Sequence, residues 1–179
     1  AFWVANTVEL FERAAYYGVF IVITLYLSRI LGFNDMQAAT IAGTFSAFLY
    51  LLPTFAGALA DKIGFRNSML LAFTLLTLGY SGLALFPTWL ESTGMVEYGQ
   101  TTTFKGLQDS SIKYGIIPIM VLIVIGGAFI KSVISGTVAR ETSEDTRAKG
   151  FAIFYGMVNI GAFSGKTIVK PLREALGNE

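Results

Sequence analysis

The stretch Glu9-Leu10-Phe11-Glu12-Arg13-Ala14-Ala15-Tyr16-Tyr17-Gly18 runs directly into the apolar run Val19 to Leu27. A helix that crosses a bilayer takes about 20 mainly apolar residues. The segment near 6–31 meets that length, yet it carries three charges within the five residues 9–13. A charged side chain at the bilayer centre costs about 2.5–3.5 kcal/mol even on the insertion scale. Such groups look into a bundle or a water-filled cavity rather than at lipid. The cluster therefore points to transport.

At about 100° per residue, Glu9, Glu12, Arg13, Tyr16, Tyr17 and Phe20 share an arc of about 140°. Val19, Ile21, Val22 and Ile23 mostly point elsewhere. One reading of this face is a surface that handles protons or solute. The other is a structural ion pair, Glu9 or Glu12 with Arg13, that joins helices. Ionisable groups inside the membrane favour the first.

The rest of the 179 residues agrees with a membrane protein. Hydrophobic residues make up 54% and charged residues 14%, and the mean hydropathy is +0.61. Soluble domains carry about a quarter charged residues. There is no Cys and no His, which removes disulfides, thiol nucleophiles, imidazole bases and the usual zinc sites. No nucleophile–base pair is recognisable, so an enzyme is not expected. A net charge of +1 gives no field for nucleic acid. Ala1 opens almost at once onto an apolar run with no basic leader. The missing initiator Met is read as a sign of a trimmed or partial chain.

The expected fold is all-α and integral to the membrane, with spans near 6–31, 37–60, 67–87, 114–138 and 149–170. Gly32-Phe33-Asn34-Asp35 breaks the first from the second, with Asp35 as N-cap. Asp61 to Arg66 forms a polar turn, and Phe86-Pro87 closes the third span. Residues 88–113 read as a long extramembrane loop with room for a short surface helix. Arg140 to Lys149, with six charges in ten residues, reads as a solvated turn. Lys62, Arg66, Arg140, Arg147 and Lys149 bias the 61–66 and 140–149 turns to the cytoplasm. The N-terminus is then cytoplasmic, with the 88–113 loop and the C-terminus outside.

Lys131 lies within the fourth span, between Ile130 and Ser132. Its stem is long enough to snorkel to the interface, and an intramembrane cation also defaults to function. Glu9, Glu12, Arg13 and Lys131 are two acids and two bases, so the set is neutral overall. One added proton frees a base for another partner, as a proton-coupled switch requires.

The turn Gly57-Ala58-Leu59-Ala60-Asp61-Lys62-Ile63-Gly64-Phe65-Arg66 resembles the signature G-x-x-x-D-[RK]-x-G-x-[RK] of the major facilitator superfamily. Gly57, Asp61, Lys62, Gly64 and Arg66 would then serve gating and packing, with Asp61 capping a helix end and Arg66 pairing with it. Glu9-x-x-Glu12-Arg13-x-x-Tyr16-Tyr17-Gly18 resembles the E-x-x-E-R-F-x-Y-Y-G signature of the proton-coupled oligopeptide transporters. Gly126 to Lys131 is similar to that family's fourth-helix stretch. Phe154-Tyr155-Gly156-Met157-Val158-Asn159-Ile160-Gly161 and Lys170-Pro171-Leu172-Arg173 are similar to its fifth helix.

The resemblance implies roles. Glu9, Glu12 and Lys131 would couple protons, with Glu12 pairing alternately with Arg13 and Lys131. Arg13 would bind a peptide carboxylate, which suits a bidentate guanidinium. Lys131 would favour the anionic end of the substrate. Tyr16, Tyr17 and Tyr50 would line the pocket, and Tyr155 and Asn159 would face the peptide. The coupling ion would be the proton, with no metal or other cofactor. Three departures leave the substrate open among peptides, modified peptides, amino acids and other small anions. Ala14 replaces Phe, Phe20 replaces a frequent second Arg, and Ala162 replaces a frequent Ser.

Superfamily transporters combine two six-helix bundles around the solute. This chain has five helices of the first bundle. The expected partners are therefore a small peptide or related anion, the lipid bilayer, and a C-terminal bundle or other membrane subunits. The expected function is proton-coupled symport of small peptides across the cytoplasmic membrane. The alternative is a five-helix scaffold in a larger membrane complex.

Overall fold

The computed structural model describes residues 1–94, 96, 98, 107 and 109–175. Among these, five helices are long and apolar enough to cross a membrane. They are α1 (Phe2–Leu25), α2 (Asp35–Ile63), α3 (Phe65–Ser92), α4 (Ile116–Arg140) and α5 (Arg147–Ala175). The protein is an all-α, multi-pass membrane protein. The chain divides into two compact units, one of Ala1–Val22 with Ile130–Glu179 and one of Ile23–Phe129.

In the second unit, α1 ends through a wide turn, Tyr26–Ile30, followed by Gly32 at φ +71°. The Phe33 N–H reaches back to the Leu27 carbonyl at 3.0 Å. The Tyr98 hydroxyl donates to the Ile30 carbonyl at 3.3 Å. Helix α2 is capped by Asn34, not Asp35. The Asn34 side chain accepts from the Gln37 N–H at 2.8 Å, and the Gln37 side chain accepts from the Asn34 N–H at 3.2 Å. Both residue types cap well. Gln37 decides between them, because it stands three residues after Asn34 and closes the reciprocal box. Asp35 falls in the first turn, where its charge favours the helix dipole.

The polar turn expected over Asp61–Arg66 is a single residue. Asp61 and Lys62 belong to α2, while Phe65 and Arg66 belong to α3. Gly64 alone reverses the chain, at φ +84° and ψ 156°. That region is essentially reserved for glycine. Its N–H closes α2 on the Ala60 carbonyl at 2.9 Å, and its own carbonyl accepts from the Ser68 hydroxyl at 2.8 Å.

Pro87 does not end the third helix. Helix α3 continues through it to Ser92, so residues 88–92 are helical rather than loop. Most of the rest of the expected 88–113 loop lies outside the described residues. Proline at 87 deprives the Leu83 carbonyl of its usual intrahelical donor. The Tyr26 hydroxyl supplies the replacement at 2.8 Å. This is how proline is tolerated in membrane helices, where freed backbone groups find other partners.

Helices α3 and α4 pack through glycine. A β-carbon at Gly79 would overlap the Ile123 side chain, and one at Gly82 would lie 2.9 Å from Ile119 Cγ2. A β-carbon at Gly126 would lie 3.0 Å from the Ala72 carbonyl oxygen. Lipid tails are as apolar as leucine, so close packing rather than hydrophobic burial holds such helices together.

In the first unit, α5 packs on α1. A β-carbon at Gly161 would overlap the Leu10 carbonyl, and one at Gly165 would overlap the Ala14 carbonyl. Gly161-x-x-x-Gly165 thus forms a smooth stripe that admits the α1 backbone. Ala14 stands at this contact.

A buried charge cluster on α1

Glu9, Glu12 and Arg13 are 1%, 7% and 4% exposed. Inside a membrane span, these are charges with no access to water, so they must satisfy one another. Arg13 does this for both acids. Its Nε donates to Glu12 Oε2, and Nη2 lies against the same oxygen. Nε also stands 3.4 Å from Glu9 Oε1. That distance gives an ion pair without a good hydrogen bond. Among the described residues, neither Glu9 oxygen accepts a hydrogen bond. The two acids therefore differ: Glu12 is held closely by the guanidinium, and Glu9 is held only by charge.

Lys131 is half-buried on α4 and is electrostatically coupled to Glu9, Glu12 and Arg13. The two acids attract it and Arg13 repels it. The structure thus gathers the four ionisable residues singled out on the sequence into one neutral group. Protonating Glu12 would remove the anion that holds the guanidinium and leave Lys131 facing one acid fewer.

Tyr16 is 3% exposed. The Arg13 guanidinium carbon lies 5.1 Å from the centre of its ring. Tyr17 meets Tyr16 edge-on at 5.0 Å, and Phe20 stacks on Tyr16 at 5.5 Å. Tyr155 and Asn159, on α5, are exposed in this chain. At about 100° per residue they share a face of that helix. Tyr50 is exposed on α2 in the other unit, as are Asp61, Lys62 and, on α3, Arg66; Gly57 is half-buried.

Three features of the site escaped the sequence reading. Asn6, one turn before Glu9, is fully buried; its Nδ2 donates to the Phe2 carbonyl at 2.9 Å. Among the described residues its Oδ1 has no partner. An amide three residues before a buried acid was the available signal. The Gly161-x-x-x-Gly165 spacing was a second. Lys166 was a third: it is a cation within the fifth span, and its Nζ lies 4.9 Å above the Tyr17 ring.

The chain matches the Major Facilitator Superfamily over residues 7–169. It is 28% identical over 166 residues to the dipeptide and tripeptide permease A of Erwinia pyrifoliae, covering 91% of this chain and 29% of that protein. It is 29% identical over 167 residues to the protein of the same name in Salmonella typhimurium, covering 91% of this chain and 28% of that protein. With the permease of Cronobacter turicensis the match is 26% over 180 residues, or 99% of this chain and 32% of that protein. The chain thus spans under a third of the length of the curated relatives it matches. No solved structure gave a significant match. With the superfamily match running from the start of the charged face to the last turns of α5, this chain belongs to the Major Facilitator Superfamily.

Proposed function

We propose that this chain forms the N-terminal helices of a proton-coupled symporter of small peptides. One observation carries the reading. Two acids and two bases are held together inside a membrane unit, with Arg13 bound to Glu12 and Lys131 coupled to all three. A neutral cluster is an inexpensive way to keep charge in a bilayer. It is also a switch, because one proton changes which base is committed. In this reading the proton enters at Glu9 or Glu12, Arg13 and Lys131 are released, and the substrate carboxylate engages them. The bundles then rock to expose the solute on the other side. The dipeptide and tripeptide permeases among the relatives support peptides as the substrate class.

The proposed setting is the cytoplasmic membrane, with the N-terminus inside and the short α2–α3 and α4–α5 turns on the same side. No cofactor beyond the proton is required. The test is substrate-driven proton uptake into liposomes that contain the native polypeptide. Glu12→Gln should abolish it while leaving the protein folded. Coupling that survives in this variant would overturn the mechanism.

A further inference from the structure

We propose that Lys166 makes the first contact with the carboxylate of the transported solute and so determines specificity for anionic substrates. The inference rests on the transporter reading above and adds a residue to it. At about 100° per residue, Tyr155, Asn159 and Lys166 fall within an arc of about 40° on α5. All three are exposed in this chain. The arc is distinct from the Gly161–Gly165 stripe that packs on α1. An amide and an ammonium on one face of a membrane helix do not face lipid; they line a cavity or meet other protein.

Arg13 and Lys166 differ in availability, and Lys170, one turn beyond Lys166, is paired with Glu174. Arg13 is 4% exposed and committed to Glu12. Lys166 is exposed, and among the described residues no acid forms an ion pair with it. Its Nζ lies 4.9 Å from the centre of the Tyr17 ring. Tyr17 meets Tyr16, and Tyr16 lies under Arg13, so the tyrosine pair has a cation over each member. A cation on an aromatic face keeps its charge and most of its donors free. Because Glu9, Glu12, Arg13 and Lys131 sum to zero, Lys166 leaves the cluster and this face together at +1. An approaching carboxylate therefore meets an available ammonium at Lys166, while Arg13 stays bound to Glu12 until a proton arrives. Snorkelling alone would take the ammonium toward the interface and would not select for a carboxylate.

The experiment compares trialanine with trialanine amide as substrates of the native polypeptide in liposomes under an inward acid gradient. The variants are Lys166→Gln and Lys166→Arg, each first shown to be monodisperse and to melt near the wild type. The wild type should prefer the acid. Lys166→Gln should raise KM for the acid by about 10- to 100-fold, the range of one charge-assisted hydrogen bond, and move the acid-to-amide ratio toward one. Lys166→Arg should restore the ratio. An unchanged ratio, or an equal loss for acid and amide, overturns the proposal. If the wild type moves neither peptide, the peptide reading has failed and Lys166 is scored separately. Melting of the purified protein is then followed with N-acetylalanine, succinate and their amides. Stabilisation by an acid that Lys166→Gln removes upholds the proposal. Stabilisation that survives the substitution, or no stabilisation by any acid, overturns it.

Discussion

Two helix contacts in this molecule use the same device for different ends. Between α3 and α4, Gly79 and Gly82 receive the side chains of Ile123 and Ile119. Between α1 and α5, Gly161 and Gly165 receive the backbone carbonyls of Leu10 and Ala14. A side chain can yield by changing rotamer, whereas a carbonyl within a helix cannot. At these positions the first contact has room to adjust and the second does not; backbone also approaches a glycine between α3 and α4, at Gly126, but less closely, 3.0 Å from the Ala72 carbonyl oxygen. Register matters for α1 and α5, because one carries Glu9, Glu12 and Arg13 and the other carries Tyr155, Asn159 and Lys166. Close packing by itself does not mark a functional region.

The largest effect should come from the charged side of the comparison. Glu12→Gln should lower proton-driven uptake by about 100-fold or more, as expected when a strongly paired intramembrane acid is lost. Flux assays across a pH gradient would read this, and uptake near the wild-type level would break the comparison. Gly165→Ala comes next. It sets a methyl group against the Ala14 carbonyl and should destabilise by about 1–3 kcal/mol, the range of overpacking. Uptake should fall further than the loss of folded protein explains. Gly79→Ala meets the Ile123 side chain first and should lie at the low end of about 1–3 kcal/mol, with uptake per folded molecule retained. Melting and uptake measured on both glycine variants sharpen the contrast, and equal behaviour would remove it.

Smaller effects should follow in the apolar unit. Asn34→Ala deletes the capping box of α2 and should cost about 1 kcal/mol. Tyr26→Phe leaves the Leu83 carbonyl without its replacement donor. It should cost about 0.6 kcal/mol, a typical value for a hydrogen bond between membrane helices. Thermal melting in detergent reads both, and neither should change the acid-to-amide preference.

Much of this was legible along the chain, because a membrane limits what a sequence can do. Long apolar runs become helices, since no other open structure satisfies its backbone in lipid. A face bearing Glu9, Glu12 and Arg13 has to turn inward. Local punctuation was harder to read. Asn34 and Asp35 are both good caps, and only the reach of Gln37 separates them. Pro87 looked like a stop because proline removes a hydrogen bond, and the donor that replaces it is 61 positions earlier at Tyr26. What sets Lys166 apart, the Tyr17 ring beneath its ammonium, comes from another helix.

The sequence by itself determined the all-α membrane fold and the identity of the charges buried on α1, because transfer free energy and helical periodicity act within one segment. The tertiary structure decided that Arg13 holds Glu12 more closely than Glu9, that Gly64 alone makes the α2–α3 turn, and that of Arg13 and Lys166 it is Lys166 that is exposed. The burial of Arg13 and the exposure of Lys166 depend on distances between groups far apart in the chain. Such distances are set by how closely glycine lets two helices approach, and no single segment encodes that.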